Sequence, residues 1–217
     1  MSEEKKVRQC LTCANCRVKA CMNREEEKYP KFSLTAKVDQ DLLAATKELY
    51  LNDEINQRLA QVAAEVEGNF YGKYTRVQET IEFIKRSGAK KVGIATCVGL
   101  LNEASIFASL LKKHNIEYYA VGCKIGAVEK SEIGIPKENT LTKGEKYESM
   151  CNPIMQAKIL NGQKTDLNIL IGLCVGHDAL FLRYAQAPTT VLIVKDRVTG
   201  HNPAVPLYTC NSIYSKI

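Results

Sequence analysis

Between residues 89 and 217 four short β-rich runs, KKVGIAT, IEYYAVG, LNILIGL and TTVLIVK, alternate with the helical stretches LLNEASIFASLLKKH, PIMQAKILNG and HDALFLRYAQ. Strand, helix, strand at this spacing builds βαβ units and a parallel sheet. The strands are nearly continuous in apolar residues, as strands covered on both faces are. The expected fold class is therefore α/β: a Rossmann-like or flavodoxin-like parallel sheet with helices on both faces. Ligands of such sheets bind outside the carboxyl ends of the strands, at the point where strand order reverses. The connection from Lys124 to Ser149 is long for a βα loop, and loops of that length commonly carry function.

Two regions precede the sheet. Residues 39–88 read as a helical segment. In DQDLLAATKELYLNDEINQRLAQVAAEVEG the apolar positions Leu42, Leu43, Leu49, Ile55, Leu59, Val62, Ala63 and Val66 recur at roughly helical spacing, with Gly68 as the expected stop. A second helix, TRVQETIEFIKRSG, places Val77, Ile81 and Ile84 on one face and ends at Gly88. These helices suit a packing layer or a homodimer contact. Residues 1–38 hold four cysteines and then a polar linker, Asn23 to Lys37, containing Pro30. Such a segment has too few apolar residues to fold unaided, so a small metal-binding module is expected there.

How to read nine cysteines depends on the compartment. The opening MSEEKKVRQC is charged and lacks an apolar signal core, and no stretch is long and apolar enough for a membrane span, so a cytoplasmic protein is expected. Thiols there stay reduced, which makes metal binding or catalysis the default over a disulfide framework. The formal charge of +6 is spread along the chain without a dense basic run, so no nucleic-acid partner is expected.

Cys10, Cys13, Cys16 and Cys21 form a C-x2-C-x2-C-x4-C run. Two residues between thiolates let one tight turn aim both sulfurs at one metal. Three cysteines in series resemble the run that wraps an iron–sulfur cluster, whereas structural zinc sites more often use two pairs with a longer spacer. The expected cofactor is a [4Fe–4S] cluster, with Zn2+ as the alternative.

A second set of thiols falls at strand ends. Cys97 follows VGIAT, Cys123 follows YYAVG and Cys174 follows ILIGL, so three thiols from distant positions should converge on the functional edge. Cys97-Val98-Gly99 and Cys174-Val175-Gly176 each lead into a helix, whose positive end lowers a thiol pKa. Cys151, just before Pro153, is a fourth candidate ligand, and His177 an alternative to it. A single cysteine here would be core by default, but three at equivalent strand ends point to a second iron–sulfur cluster, another metal, or reactive thiols. Lys195, Asp196 and Arg197, then Gly200, His201, Asn202 and Pro203, reach the same edge. Lys195 and His201 are candidates to bind an anionic substrate or supply a proton. His177 and Asp178 as base and orienter is a weak pairing, because neighbours in a helix do not face one another. Cys210 has no nearby motif.

Taken together in chain order, the N-terminal C-x2-C-x2-C-x4-C, TCVGLLNEA, VGCKIGAVEKSEIGIP, MCNPIMQAKILN, GLCVGHDALF and VKDRVTGHNPA resemble the domain-of-unknown-function 1847 family, small cysteine-rich metal-binding proteins mostly of anaerobic bacteria and archaea. The resemblance implies metal binding and assigns no reaction; an anaerobic setting favours iron–sulfur chemistry over zinc. Two functions compete, with metal or cluster delivery to an acceptor as a third. In the first, an iron–sulfur redox or electron-transfer protein, in the form of an iron–sulfur-dependent oxidoreductase, passes electrons from the N-terminal centre to a second centre or a small-molecule substrate at the Cys97, Cys123 and Cys174 edge, with a redox partner. In the second, a non-enzymatic zinc protein carries a structural four-cysteine site beside a ligand- or partner-binding α/β domain. No G-x-G-x-x-G or P-loop follows a strand, which argues against classical nucleotide binding.

Overall fold

The structure is a computed structural model and describes residues 10–217. The charged start through Gln9, on which the reading of a leaderless chain rests, lies outside the described residues. The chain divides into two compact units, residues 1–61 and 62–217.

In the first unit, Thr12 opens a 3-10 turn over Cys13–Asn15. Its backbone N–H is held by the Asn15 side chain at 2.9 Å, and Cys16 N–H closes the turn on the Cys13 carbonyl. The x2 spacing thus folds as the tight turn it suggests. Further 3-10 turns follow at Ala20–Met22 and Glu26–Lys28. Helix α1, Gln40–Asn52, is capped by Asp39, whose carboxylate accepts from the N–H groups of Asp41 and Leu42. The single long helix expected from residue 39 to Gly68 is in fact two. Asp53 adopts an extended backbone and caps the next turn through Asn56 N–H at 2.8 Å, so helix α2 runs Glu54–Phe70. Apolar periodicity continues across this break, which is why spacing alone conceals it. Gly68 lies inside α2, and the left-handed residue that ends the run is Gly72.

The second unit holds the sheet. Helix α3, Arg76–Ser87, has a Thr75 and Gln78 capping box and stops at Gly88 in the left-handed conformation, as its sequence indicates. Strands β1 (Lys91–Thr96), β2 (Glu117–Gly122), β3 (Leu167–Ile171) and β4 (Thr189–Ile193) are all parallel, in the order β2-β1-β3-β4. This is the flavodoxin-like order, with its reversal between β1 and β3. Helices α4 (Leu101–Lys113), α5 (Pro153–Gly162) and α6 (His177–Tyr184) connect the strands, and a short α7 (Val205–Tyr208) follows β4.

Two apolar layers flank the sheet. On one face Ile81 and Ile84 of α3 and Phe107 and Leu111 of α4 pack on Val92, Ile94 and Ile169; on the other Ala157 and Leu160 of α5 and Phe181 of α6 pack on Ala95, Val121 and Leu170. Strands β1 and β3 are buried on both faces, but edge strand β2 exposes Glu117 to Ala120. No described helix is long and apolar enough to cross a membrane.

Candidate functional site

The register of the sheet decides where the thiols fall. Thr96 pairs with both Gly122 and Ile171, so β1, β2 and β3 end level, and the next residues of β1 and β2 are Cys97 and Cys123. Gln156 of α5 is fully buried and its amide nitrogen donates to the carbonyls of Thr96 (3.1 Å) and Val121 (2.7 Å), tying these two strand ends together.

The long connection after β2 folds back on itself. An antiparallel bridge joins Glu129 to Ser149, and Met150 N–H bonds to the Val128 carbonyl. The carboxylate of Glu148 pairs with Lys130 and accepts from Leu141 and Thr142 N–H, which holds its pKa below the usual carboxylate range. Asn152 N–H then bonds to the Cys123 carbonyl at 2.7 Å, returning Cys151 to the cysteine that began the loop. Asn152 also caps α5 through Met155 N–H, with Pro153 in the first turn. Gly176, at φ 83°, starts α6 so that His177 stands at its first position.

These elements enclose a cavity of about 610 Å³ at the carboxyl edge of the sheet, lined by Cys97, Cys123, Cys151, Cys174, His177 and Lys195, and also by Lys124 and Arg197. All six of these thiol, imidazole and ammonium groups were expected at this edge, and the fold brings them together. His201 is not in the lining: its Nδ1 accepts from Asp196 N–H at 3.1 Å and closes the turn after β4. Asp178 bonds to Ala179 N–H and leaves His177 to a different partner, Cys151. Cys210 is exposed and outside the lining.

Inside the cavity the thiols differ sharply. Cys123 is almost fully buried, accepts Val98 N–H at 3.4 Å, and is hydrogen-bonded to Cys151. The bond to Cys151 and burial both push its pKa well above the usual thiol value. Cys151 moves the other way, down to about 4, through the hydrogen bond from Cys123, a second from His177, and the charges of Lys124 and His177, against the cost of burial. The two shifts run in opposite directions, so the pair favours a thiol at Cys123 beside a thiolate at Cys151. Arg197 Nη2 donates to Cys174 Sγ at 2.9 Å, and this contact raises the guanidinium pKa. Sequence reading placed Cys151 only as a spare ligand and missed Lys124 and Gln156. Lys124 had a signal, its place directly after Cys123; Gln156 had none.

In the first unit, N–H groups of Lys19 and Val18 directed at the Cys16 sulfur lower its pKa. That is an environment suited to a metal thiolate. Among the described residues, however, no three His, Cys, Asp or Glu side chains stand at a spacing that would hold a metal ion, in either thiol set. All nine cysteines are free.

A four-stranded parallel sheet in the order β2-β1-β3-β4, helices on both faces and a thiol-lined cavity at its carboxyl edge define an α/β protein of the flavodoxin-like or Rossmann-like class. The chain belongs to the DUF1847 family, described as a protein of unknown function, whose model matches residues 34–192. It is 46% identical over 199 residues to an uncharacterized protein of Methanocaldococcus jannaschii, covering 92% of this chain and 94% of that one. The matched span contains Cys97, Cys123, Cys151, Cys174 and His177, and begins after the N-terminal quartet.

Proposed function

We propose that the protein is a cytoplasmic thiol-based redox protein whose working site is the cavity at the carboxyl edge of the sheet. The observation that carries the reading is the grouping of Cys123, Cys151 and His177 in one cavity wall, closed by the Asn152 bond to the Cys123 carbonyl, with Cys123 and His177 lowering the Cys151 pKa. A low-pKa thiolate beside a protonated, buried thiol is the arrangement that thiol–disulfide exchange needs: one sulfur attacks and the other resolves.

The Cys151 thiolate attacks one sulfur of a substrate disulfide, forming a mixed disulfide and expelling the other half as a thiolate, which takes a proton from His177. Cys123, its proton passed to the vacated imidazole, then attacks the Cys151 sulfur. The Cys123–Cys151 disulfide forms and the second half leaves as a thiolate. The protein dithiol loses two electrons and the substrate disulfide gains them.

The N-terminal quartet, Cys10, Cys13, Cys16 and Cys21, belongs to the same proposal as an iron–sulfur site, with zinc as the alternative. Its support is the spacing, the turn over Cys13–Asn15 and the N–H groups directed at Cys16. Such a cluster would supply one-electron chemistry; its sulfurs must first close on it. A redox partner or small-molecule substrate completes the reading.

Anaerobic purification tests both halves. Iron and sulfide counts on wild type and on a Cys13→Ser, Cys16→Ser variant should show metal that the variant lacks. Reaction with a small disulfide should yield a Cys123–Cys151 crosslink in peptide maps. A mixed disulfide at Cys151 that never resolves onto Cys123 would remove the exchange mechanism.

A further inference from the structure

The thiol chain leaves the charge of the cavity wall unexplained. Four cations reach it, Lys124, Lys130, Lys195 and Arg197, against one carboxylate, Glu148. Two of them are engaged: Lys130 pairs with Glu148, and Lys124 donates to the Ser149 carbonyl. Arg197 gives one N–H to Cys174 and keeps the rest of its fork. Lys195 is half-buried, yet no described residue accepts from its ammonium or pairs with it. Its Nζ lies over Gly99, 3.1 Å from where a Cβ would stand, in the turn that leads into α4.

An exposed lysine extends its head into water. One held half-buried in a cavity, with no counter-ion, loses hydration without compensation. Gly99 keeps the space beside that ammonium clear, since any side chain there would crowd it. Much of the remaining wall is apolar, including Ile133, Ile135, Leu141 and Met150 on the folded-back loop and its return. The cavity volume suits a small organic molecule rather than a bare ion.

We infer that the substrate is a small anionic organic disulfide, its carboxylate or phosphate bound by Lys195 and Arg197 and its apolar body laid against Ile133, Ile135 and Met150. The inference rests on the exchange reading above and adds the chemistry of the substrate. The bond-making and bond-breaking are those already described; the cations hold the head group while the Cys151 thiolate reaches the S–S bond. They also offset the repulsion between an anionic substrate and an anionic nucleophile.

The test uses the full-length reduced protein and two aromatic disulfides, anionic dithiobis(nitrobenzoate) and neutral dithiodipyridine. Modification of Cys151 is followed by peptide-resolved mass spectrometry, with exposed Cys210 in the same sample as reference. The Cys151-to-Cys210 rate ratio should be about tenfold higher for the anionic reagent, the effect of one nearby charge at intermediate dielectric. Lys195→Gln should abolish most of that preference, and salt should erode it in wild type. Calorimetry with unreactive benzoate gives a readout independent of thiol chemistry: wild type binds it, Lys195→Gln does not, and the two do not differ toward benzyl alcohol. Equal ratios for both reagents, or a preference unchanged in Lys195→Gln and Arg197→Gln, overturn the inference. Failure of the exchange reading looks different, since Cys151 would then react with neither reagent, or stay as an unresolved mixed disulfide, while benzoate still bound.

Discussion

If the Cys123–Cys151–His177 chain sets the nucleophile, removing His177 must move the acid limb of Cys151. With its pKa at about 4, Cys151 is fully thiolate by pH 6, whereas an ordinary cysteine near pKa 8.5 is then only about 0.3% ionised. The gain in attacking species is roughly 300-fold, but intrinsic nucleophilicity falls with pKa by roughly 100-fold over the same span. The two nearly cancel near pH 6, and above pH 8 the ordinary thiol is faster. Speed is therefore the wrong diagnostic. The shape of the profile is the right one: Cys151 should react at an almost constant rate from about pH 5 to 9, while an ordinary thiol climbs about tenfold per unit until its own pKa.

His177→Asn removes one charge-assisted hydrogen bond, worth about 1.5–3 kcal/mol, and so raises the apparent pKa by about one to two units. Cys123→Ala removes the other donor and should act in the same direction. Cys123→Ser, which keeps a donor, should move it less. The assay is peptide-resolved labelling with dithiodipyridine from pH 3 to 10, supported by the ultraviolet absorbance of the thiolate in wild type against Cys151→Ser. A Cys151 rate that climbs tenfold per unit between pH 5 and 8, unaltered in His177→Asn, would refute the hydrogen-bond chain as the source of the thiolate.

Three further outcomes follow from the packing around the site. Gln156→Ala strips the partner from the carbonyls of Thr96 and Val121 and opens a small void, so the urea midpoint should fall by the equivalent of about 3 kcal/mol, and Cys123 should become accessible to labelling. Gly172→Ala places a Cβ 1.8 Å from Leu100 Cδ1 at φ +65°, between β3 and Cys174, and should destabilise by more than the about 1–3 kcal/mol of simple overpacking, read by thermal melting. Glu148 has a folded-state pKa below its unfolded one, so its contribution is present above the usual carboxylate range and lost as pH falls through the folded value; hydrogen exchange at Leu141 and Thr142 should rise on that acid limb, and Glu148→Gln should show the rise already at neutral pH.

The four strands, the helices between them and α3 were legible because each carries a local signal: β-branched apolar runs, helical apolar spacing, Pro153 at a helix start, Gly88 at a helix end. Residues 39–68 misled because Asp53 breaks the helix without breaking the apolar period, and only its capping bond to Asn56 shows the division. The edge of the sheet was legible at the level of which cysteines meet, since strand ends in register bring whatever follows them to one edge. What it left hidden was their inequality. Cys97, Cys123 and Cys174 looked alike in sequence, and the sulfur that matters most, Cys151, ends no strand.

The reason lies in the chain between Lys124 and Met150. A loop that wandered would deliver Cys151 anywhere, but the Glu129–Ser149 bridge, the Glu148 carboxylate and the Asn152 bond to the Cys123 carbonyl each fix one step of its return. None of the three is visible as a motif, because each pairs residues that are ordinary alone and well separated along the chain. Once the loop closes, the contact between Cys123 and Cys151, with burial adding to it, raises the Cys123 pKa and lowers that of Cys151. The asymmetry between attacking and resolving sulfur therefore depends on the path of the loop, which brings Cys151 to Cys123, Lys124 and His177. Breaking the Glu129–Ser149 bridge should therefore return both thiols toward ordinary behaviour together, read by the same peptide-resolved labelling profile.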